Sequence, residues 1–301
     1  MRKPDESSVS STQDSEQDES ENKIDQLLSP TLVSSLKAQG ITELFPIQKQ
    51  CFKPICDGKH MIARARTGSG KTLAFLLPMF EILIKSKCKN PRVVILAPTR
   101  ELATQIATVS ETTVKSLKAV AIYGGASYQM QERALRGGAD IVVGTPGRLK
   151  DLLNKGTLTI AEVNHVILDE VDRMLDMGFK DDVTEILDII KSGTKNENQL
   201  RYLFFSATLT PWVYQSSRVY MKNGEKIEID LIGNNDLKTS EDVKHLAVSC
   251  HLSGRPSVIS NLIRLYGSNS GSKDSKAIVF CQRKAEVDEL ALSASMANSH
   301  K

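Results

Sequence analysis

Six short apolar segments, separated by stretches long enough for a helix, constrain the fold most. β-Branched and aromatic residues dominate these segments, which predicts buried β-strands. The segments are residues 92–97, 119–123, 140–143, 165–168, 199–205 and 277–281. Strands that alternate with helix-length stretches are joined by crossover connections, so they lie parallel in one sheet with helices on both faces. The sequence therefore predicts an α/β fold built on a doubly wound parallel sheet.

Composition divides the 301 residues into four segments. Residues 1–22 contain six serines, seven acidic and two basic side chains, and almost nothing apolar, which predicts a disordered tail. Residues 23–221 are predicted to form a complete domain and residues 222–245 a polar linker. Residues 246–301 hold too few strands and helices to close a doubly wound sheet, so we expect them to form an incomplete second domain.

The net charge of +3 is unevenly placed, because residues 1–22 carry −5 and the remainder +8. A basic folded part suits a polyanion such as nucleic acid, although an ordinary lysine-rich surface explains the charge equally well. The five cysteines show no zinc-type spacing, which indicates reduced thiols. The longest apolar stretch, residues 73–84, is too short to span a bilayer. We therefore expect a soluble intracellular protein without membrane association.

A glycine-rich loop follows an apolar strand predicted over residues 60–63 and opens a helix. Glycines let the backbone curl so that its N–H groups face a phosphate, and the helix N-terminus adds a favourable dipole. Lys71 is expected to pair with the β- and γ-phosphates, and the Thr72 hydroxyl to ligate Mg²⁺. The predicted nucleotide-binding residues of the loop are Ala65, Arg66, Thr67, Gly68, Ser69, Gly70, Lys71 and Thr72. Ala65 departs from the general pattern, which has glycine there, and a glycine-rich turn without a ligand is the alternative interpretation.

Three acids follow the apolar strand at residues 165–168. Asp169 is predicted to hold Mg²⁺, usually through water, and Glu170 to orient and deprotonate an attacking water. A solvated loop is the alternative, but the phosphate loop about 100 residues upstream argues against it. Together the two motifs predict ATP and Mg²⁺ as cofactors, with Lys71, Asp169 and Glu170 as the catalytic residues.

Eight motifs in fixed order resemble those of the DEAD-box RNA helicases, with Asp-Glu-Val-Asp in place of Asp-Glu-Ala-Asp. They are Gln48 with its upstream segment, the loop at 65–72, Pro98–Ala103, Gly124–Gly125, Thr145–Arg148, Asp169–Asp172, Ser206–Thr208 and Ile278–Cys281. The resemblance covers about residues 23–290. It implies a complete first RecA-like domain, the start of a second RecA-like domain, and a monomeric ATP-dependent RNA helicase that remodels RNA duplexes or ribonucleoproteins.

The resemblance also implies roles for single residues. Gln48 matches the glutamine that reads adenine, since a primary amide offers both a donor and an acceptor. Contacts to RNA phosphates and riboses, without reading of the bases, are implied for Pro98, Thr99, Arg100, Gly125, Thr145, Pro146, Gly147 and Arg148. Coupling of the nucleotide site to strand separation is implied for Asp172, Ser206, Ala207 and Thr208. The implied partners are RNA of largely any sequence and ribonucleoprotein components, while an internal salt bridge is the alternative role for Arg100.

Within the family, several segments resemble the Gu-type nucleolar RNA helicases. They are residues 44–48, 169–179, 230–233, 243–247 and 250–251. This narrower resemblance implies a location in the nucleus and nucleolus and a role in ribosomal RNA metabolism.

The sequence departs from the family's pattern in two respects. An aromatic residue that stacks on adenine normally lies upstream of the glutamine, but an ungapped comparison places Lys23 there, beside Ile24. We therefore expect weaker nucleotide affinity. Nothing after Cys281 resembles the family's arginine-finger motif, which contributes roughly 10³–10⁵ in rate. We therefore expect this chain alone to hydrolyse ATP poorly and to unwind little.

Two alternative hypotheses accompany the helicase interpretation. One is a non-catalytic module that binds nucleotide and RNA and acts as a competitor or scaffold. The other is a different P-loop ATPase, such as a DNA helicase. The Gln48 region and Pro98–Ala103 argue against this last class.

Overall fold

The computed structural model describes residues 24–85, 88–195, 197–233, 244–267 and 277–293. The chain divides between Asp236 and Leu237 into two units, each described by itself. The tail predicted over residues 1–22 lies outside the described residues, as does Lys23. Among the described residues, no helix is both long enough and apolar enough to cross a membrane.

The strands of the first unit form one parallel sheet, which confirms the predicted fold class. Its strands are β1 (His60–Arg64), β2 (Val93–Leu96), β3 (Ala119–Ile122), β4 (Ile141–Gly144), β5 (His165–Leu168), β6 (Arg201–Ser206) and β7 (Lys226–Asp230). Their order across the sheet is β3-β4-β2-β5-β6-β1-β7, and all neighbours are parallel. Because the strands are parallel, their carboxyl ends meet at one edge, where open α/β sheets bind ligands.

Helices cover both faces of this sheet. They are α1 (Pro30–Ala38), α2 (Pro46–Cys56), α3 (Lys71–Ile84), α4 (Arg100–Thr113), α5 (Tyr128–Arg136), α6 (Pro146–Asn154), α7 (Val171–Asp176), α8 (Lys180–Gly193) and α9 (Pro211–Tyr220). The first four contribute to one apolar core and the other five pack against a second core. Successive strand residues alternate between the two cores; Met61 and Ala63 face the first and Ile62 the second.

Local sequence explains where helices form. In α8, Val183, Ile186, Leu187 and Ile190 recur at helical spacing, so one face of the helix is buried. At α1, Pro30 occupies the first turn, where its missing N–H costs nothing. Gly40 follows the helix with φ +77°, a conformation that glycine adopts without strain.

At β7 the structure differs from the prediction made from the sequence. The predicted linker over residues 222–245 is wrong for residues 226–230, which pair with β1 along their whole length. Lys226, Glu228 and Asp230 are exposed while Ile227 and Ile229 alternate with them, because β7 is an edge strand with one covered face. Polar side chains on the other face make such a strand look like a linker.

The described part of the second unit contains α10 (Arg255–Gly267), α11 (Lys284–Leu292) and a 3₁₀ turn at Leu252–Gly254. The strand predicted over residues 277–281 is not formed, and Phe280 is 91% exposed. A strand is stabilised by hydrogen bonds to a neighbour, and the described residues of this unit supply no such partner.

Candidate functional site

The phosphate loop runs from the end of β1 to the start of α3. Gly68 and Gly70 adopt φ +83° and +85°, a region that residues with a Cβ rarely enter. Ala65 instead continues the sheet, since its N–H donates to Ser206 O at 3.1 Å. A methyl group is therefore tolerated where the general pattern has glycine.

Lys71 is the first residue of α3 and is buried. Its Nζ donates to Ala65 O at 2.6 Å and to Arg66 O at 2.9 Å, so the ammonium group lies inside the curl of the loop. Burial lowers the pKa of Lys71, while Asp169 and other acids at the end of β5 act to raise it. A cation in this position suits an anionic ligand that would replace the two carbonyls.

Asp169 directly follows β5 and is only 2% exposed. Burial raises its pKa to about 7, against the attraction of Lys71. Its Oδ1 accepts a hydrogen bond from Glu170 N at 3.0 Å. Glu170 has φ +50° and ψ +54°, a left-handed backbone that costs energy for a residue with a side chain. This strained turn directs two neighbouring carboxyl groups out of the end of one strand.

A cavity of about 420 Å³ brings the phosphate loop and these acids together at the carboxyl edge of the sheet. Its lining includes the charged and hydroxyl groups of Lys71, Thr72, Asp169 and Glu170. It also includes Gln39, Ile41, Leu73, Leu102, Gln105 and Val109. An ammonium group, a hydroxyl and carboxylates around one cavity suit a phosphorylated ligand bound with a metal ion.

The donor set in this cavity fits Mg²⁺. Asp169 is a buried carboxylate and Thr72 supplies a hydroxyl in the same cavity. The described residues hold no group of three His, Cys, Asp or Glu side chains placed to bind a metal by themselves. Mg²⁺ typically takes one or two carboxylates and completes its octahedron with waters and phosphate oxygens. One carboxylate and one hydroxyl are therefore enough protein ligands for this ion.

Gln48 lies behind the loop and is 3% exposed. Its Nε2 donates to Gly70 O at 3.1 Å, and its Oε1 accepts from Phe45 N at 2.8 Å. One N–H and one lone pair of the amide remain for another partner. Ile24, beside the predicted stacking position, is buried in the core and offers no stacking surface.

The residues predicted to contact RNA lie at the carboxyl ends of β2, β3 and β4, which are neighbours in the sheet. The nucleotide residues follow β1 and β5, on the adjoining part of the same edge. Thr99 caps α4, its Oγ1 accepting from Leu102 N at 3.2 Å. Gly125 has φ +81° in the loop after β3. Thr145, Pro146, Gly147 and Arg148 open α6; Pro98 and Pro146 are buried and expose no side chain for a ligand.

The two predicted arginines differ in their surroundings. Arg100 is exposed and pairs with Glu101 at 3.4 Å. Arg148 donates to Ala126 O at 3.0 Å and Gln131 Oε1 at 3.1 Å, and its guanidinium lies 3.7 Å from the centre of the Tyr128 ring. Arg148 is therefore fixed in place by the loop after β3 and by α5, whereas Arg100 pairs with an exposed carboxylate and lies 5.9 Å from the centre of the Tyr123 ring.

The residues predicted to couple the two sites are in direct contact. Asp172 Oδ2 accepts from Thr208 N at 2.9 Å and from Thr208 Oγ1 at 3.1 Å. Asp172 N donates to Ser206 Oγ at 3.2 Å. Ala207 lies between Ser206 and Thr208 in the chain and lines a second opening with Lys71 and Glu170.

Several residues of the cavity were not predicted from sequence. Leu102, Gln105 and Val109 line it, and their spacing of three and four residues places them on one face of α4. That helical spacing in the sequence could have predicted that the three side chains share one face of the helix. Gln39 and Ile41 reach the cavity from the turn after α1, and no local pattern marks them.

Comparison with known proteins agrees with this geometry. The sequence profile of the DEAD/DEAH box helicase family matches residues 45–216, more than half of the chain. The chain belongs to this helicase family. The match contains Gln48, the phosphate loop, the acidic turn and the Ser206–Thr208 turn.

Individual relatives extend the match of this DEAD/DEAH box chain. It is 43% identical over 270 residues to mouse ATP-dependent RNA helicase DDX50, covering 88% of this chain and 36% of that protein. It is 40% identical over 302 residues to rat Nucleolar RNA helicase 2, covering 96% and 38%. The chain therefore spans little more than a third of the length of these curated relatives.

A solved structure also resembles this helicase-family chain. The DEAD-box helicase Mss116, bound to single-stranded RNA and UDP-BeF, superposes with a TM-score of 0.72 at 29% sequence identity. The likeness covers 81% of this chain and 52% of that one. The RecA-like fold of the first unit is thus that of the DEAD-box helicases.

Proposed function

We propose that this chain is the nucleotide-binding part of an ATP-dependent RNA helicase, which binds ATP with Mg²⁺ and RNA and uses hydrolysis to remodel RNA duplexes or ribonucleoproteins. The observation that supports this most is the shared cavity, in which Lys71, Thr72, Asp169 and Glu170 converge at one edge of the sheet. Phosphoryl transfer needs positioning and charge compensation far more than covalent chemistry from the protein.

In the proposed reaction Lys71 exchanges its two carbonyl acceptors for phosphate oxygens. The exchange costs little, because the ammonium group leaves neutral acceptors for charged ones. The N–H groups of the loop and of the first turn of α3 bind the remaining phosphate oxygens. Gln48, already fixed against Gly70, turns its free amide groups to the adenine.

Asp169 and Thr72 would hold Mg²⁺, which supplies charge compensation at the phosphates when bound. Asp169 must be ionised for this role, and the ion favours that form of the carboxyl group. Glu170 is placed beside it to accept a hydrogen bond from the attacking water and then take its proton. Its left-handed backbone turns the chain at the end of β5, and the residue lines the cavity.

RNA is the proposed second ligand, bound on the β2, β3 and β4 part of the edge. The relative Mss116 was solved with single-stranded RNA, which supports this choice. Helix N-termini, threonine hydroxyls and Arg148 suit phosphates and riboses, which carry no sequence information. Asp172, Ser206 and Thr208 would report the state of the nucleotide to this surface. The name of the rat relative, Nucleolar RNA helicase 2, supports a nucleolar location, and we propose ribosomal RNA as the substrate.

The proposal is tested by equilibrium binding of a fluorescent ATP analogue with Mg²⁺. Lys71→Ala is expected to weaken binding at least tenfold, about 1.4 kcal/mol, because a charge-assisted contact to phosphate is lost. Glu170→Gln is expected to bind nucleotide as before while any hydrolysis ceases. Lys195→Ala, on an exposed lysine that pairs with Glu162, is the matched control.

Absence of nucleotide binding by the unaltered chain would overturn the proposal. Binding of nucleotide without any RNA binding, followed by fluorescence anisotropy of a single-stranded RNA, would reduce it to a nucleotide-binding module. Equal affinity for double-stranded DNA and RNA would favour the DNA helicase class instead.

A further inference from the structure

Arg64 occupies a junction between three strands. It is the last residue of β1, and in register it lies between Ser206 of β6 and Asp230 of β7. Its side chain is 16% exposed, so most of it is covered by protein. None of the motifs described above includes this residue.

The Arg64 guanidinium joins two turns that leave the sheet. Nε donates to Ala207 O at 3.4 Å, in the middle of the Ser206–Thr208 turn. Nη1 donates to Asp230 Oδ2 at 3.2 Å and to Gly233 O at 3.1 Å. One planar group therefore connects the turn beside the nucleotide site to the turn that follows β7.

The first of these turns depends on the acidic end of β5. Both residues that flank Ala207 are bonded to Asp172, which lies two residues after Glu170. A displacement of this acidic turn is therefore passed to the Ala207 carbonyl. At 3.4 Å the bond from Arg64 to that carbonyl is close to the limit for a hydrogen bond, so a shift of a few tenths of an ångström makes or breaks it.

The second turn, which we call the exit turn, spans Asp230–Gly233 at the end of β7, three residues before the first unit ends at Asp236. Asp230 uses its other oxygen, Oδ1, to accept the N–H groups of Ile232 at 2.9 Å and Gly233 at 3.0 Å. The second unit begins at Leu237, four residues beyond Gly233. The conformation of the exit turn is therefore set by hydrogen bonds to the Asp230 carboxylate, whose other oxygen accepts from Arg64.

We propose that Arg64 is a positioning residue that links the state of the Ser206–Thr208 turn to the exit turn at Asp230–Gly233. This inference rests on the proposed function, because nucleotide in the cavity is what sets the first turn. Nucleotide with Mg²⁺ fixes the acidic turn, Asp172 fixes Thr208, and Arg64 then holds Ala207, Asp230 and Gly233 together. Lysine cannot replace it, because a single ammonium group lacks the fork that reaches both turns.

Amide hydrogen exchange of the full 301-residue chain tests this link, with and without adenylyl-imidodiphosphate and Mg²⁺. In the unaltered protein, nucleotide is expected to slow exchange at Ile232 and Gly233 about fivefold, at the low end of typical coupling between sites. In Arg64→Gln and Arg64→Lys this effect of nucleotide is expected to vanish, while the nucleotide dissociation constant stays within about twofold, since Arg64 does not line the cavity.

Arg218→Gln is the matched control. Arg218 is exposed on α9, and no polar contact of its side chain is found among the described residues. It is expected to behave like the unaltered protein. Asp230→Asn provides a second variant that removes the charge on the other side of the contact, and it is expected to lose the effect as Arg64→Gln does.

The outcomes separate the link from the function beneath it. Nucleotide-dependent protection that persists in Arg64→Gln overturns the proposal, as does unaltered protein that binds nucleotide without protecting Ile232 and Gly233. A purely structural role would raise exchange equally with and without nucleotide, and this result also overturns the link. Failure of the unaltered chain to bind nucleotide overturns the proposed function itself.

Discussion

The Gln48 amide donates to the main-chain carbonyl of Gly70 at 3.1 Å, so a side chain from α2 supports the phosphate loop from behind. The same amide accepts the N–H of Phe45 at 2.8 Å, which fixes its orientation. Gln48 therefore has a task within the protein in addition to its proposed contact with adenine. The two tasks use different hydrogen-bonding groups of one amide, which makes them separable by experiment.

Replacement of Gln48 by alanine is expected to destabilise the first unit and to weaken nucleotide binding. It leaves Phe45 N–H and Gly70 O without their partner, at a cost of about 1–3 kcal/mol in the free energy of unfolding. Gln48→Glu keeps the acceptor but lacks the donor, so an intermediate loss is expected. Denaturant titration followed by fluorescence of Trp212, the single tryptophan, measures the effect on stability.

The nucleobase distinguishes the two tasks of Gln48. If the amide reads adenine, the preference of the protein for ATP over GTP should fall towards unity in Gln48→Ala. If it only supports the loop, both dissociation constants should rise by the same factor. An unchanged affinity for ATP would contradict both tasks.

Gly70→Ala is expected to impair the site more than Gly68→Ala, although both residues have positive φ. The left-handed backbone costs roughly 1 kcal/mol in either variant. A Cβ at position 70 would also lie 2.4 Å from Gln48 Nε2 and 2.6 Å from Phe45 Cδ2, so these side chains must move. A Cβ at position 68 meets nothing within 4 Å. Equal dissociation constants for the fluorescent ATP analogue in the two variants would contradict this account.

The sequence predicts the central strands well because they are buried on both faces and therefore continuously apolar. β7 is an edge strand with polar and apolar residues in alternation, and three of its five side chains are exposed, so composition alone misassigns it. β3, at the other edge, consists of apolar residues and is predicted, whereas β7 carries only a period-2 signal with little apolar content. Ile227 and Ile229 are the two apolar residues among its five, which is too weak a pattern to predict a strand.

The candidate site shows a similar division. Motif order predicts which residues converge, since parallel strands place their carboxyl ends at one edge. It does not predict the backbone partners of Gln48, because a carbonyl or N–H group has no sequence signature. Nor does it predict that Arg148 packs on Tyr128, which lies 20 positions away and whose neighbours resemble an ordinary helix start.

Tyr128 is expected to matter for RNA binding through Arg148. Its ring lies 3.7 Å from the Arg148 guanidinium carbon and 4.1 Å from Lys155 Nζ, and its hydroxyl donates to Asp151 Oδ2 at 2.5 Å. A contact between a cation and an aromatic face contributes about 0.5–2 kcal/mol, so Tyr128→Leu should weaken RNA binding by roughly 2- to 30-fold. Tyr128→Phe keeps the ring and should retain most of the affinity.

Anisotropy of a labelled single-stranded RNA at two salt concentrations measures this effect. Tyr214→Leu is the matched control, because Tyr214 also donates to a carboxylate, Glu228, but lies on α9 away from the proposed RNA surface. The interpretation fails if Tyr128→Leu binds RNA as tightly as the control. Loss of affinity in Tyr128→Phe as large as in Tyr128→Leu would assign the effect to Asp151 instead.

His165 is expected to contribute a loss of stability of the first unit as the pH falls, whereas Asp169, whose pKa burial raises to about 7, contributes with the opposite sign. Burial, followed by the charges of Arg201 and Arg92, lowers the pKa of His165 to about 3, whereas the unfolded chain titrates near its ordinary value of about 6.5. The unfolded state therefore binds more protons below pH 6.5, and the free energy of unfolding falls by up to about 1.4 kcal/mol per pH unit. Well above pH 6.5 both states are neutral at this residue and its contribution is constant. Urea titrations between pH 5.0 and 6.5, followed through Trp212, should show this slope reduced in His165→Gln, and equal slopes in the two proteins would contradict the assignment.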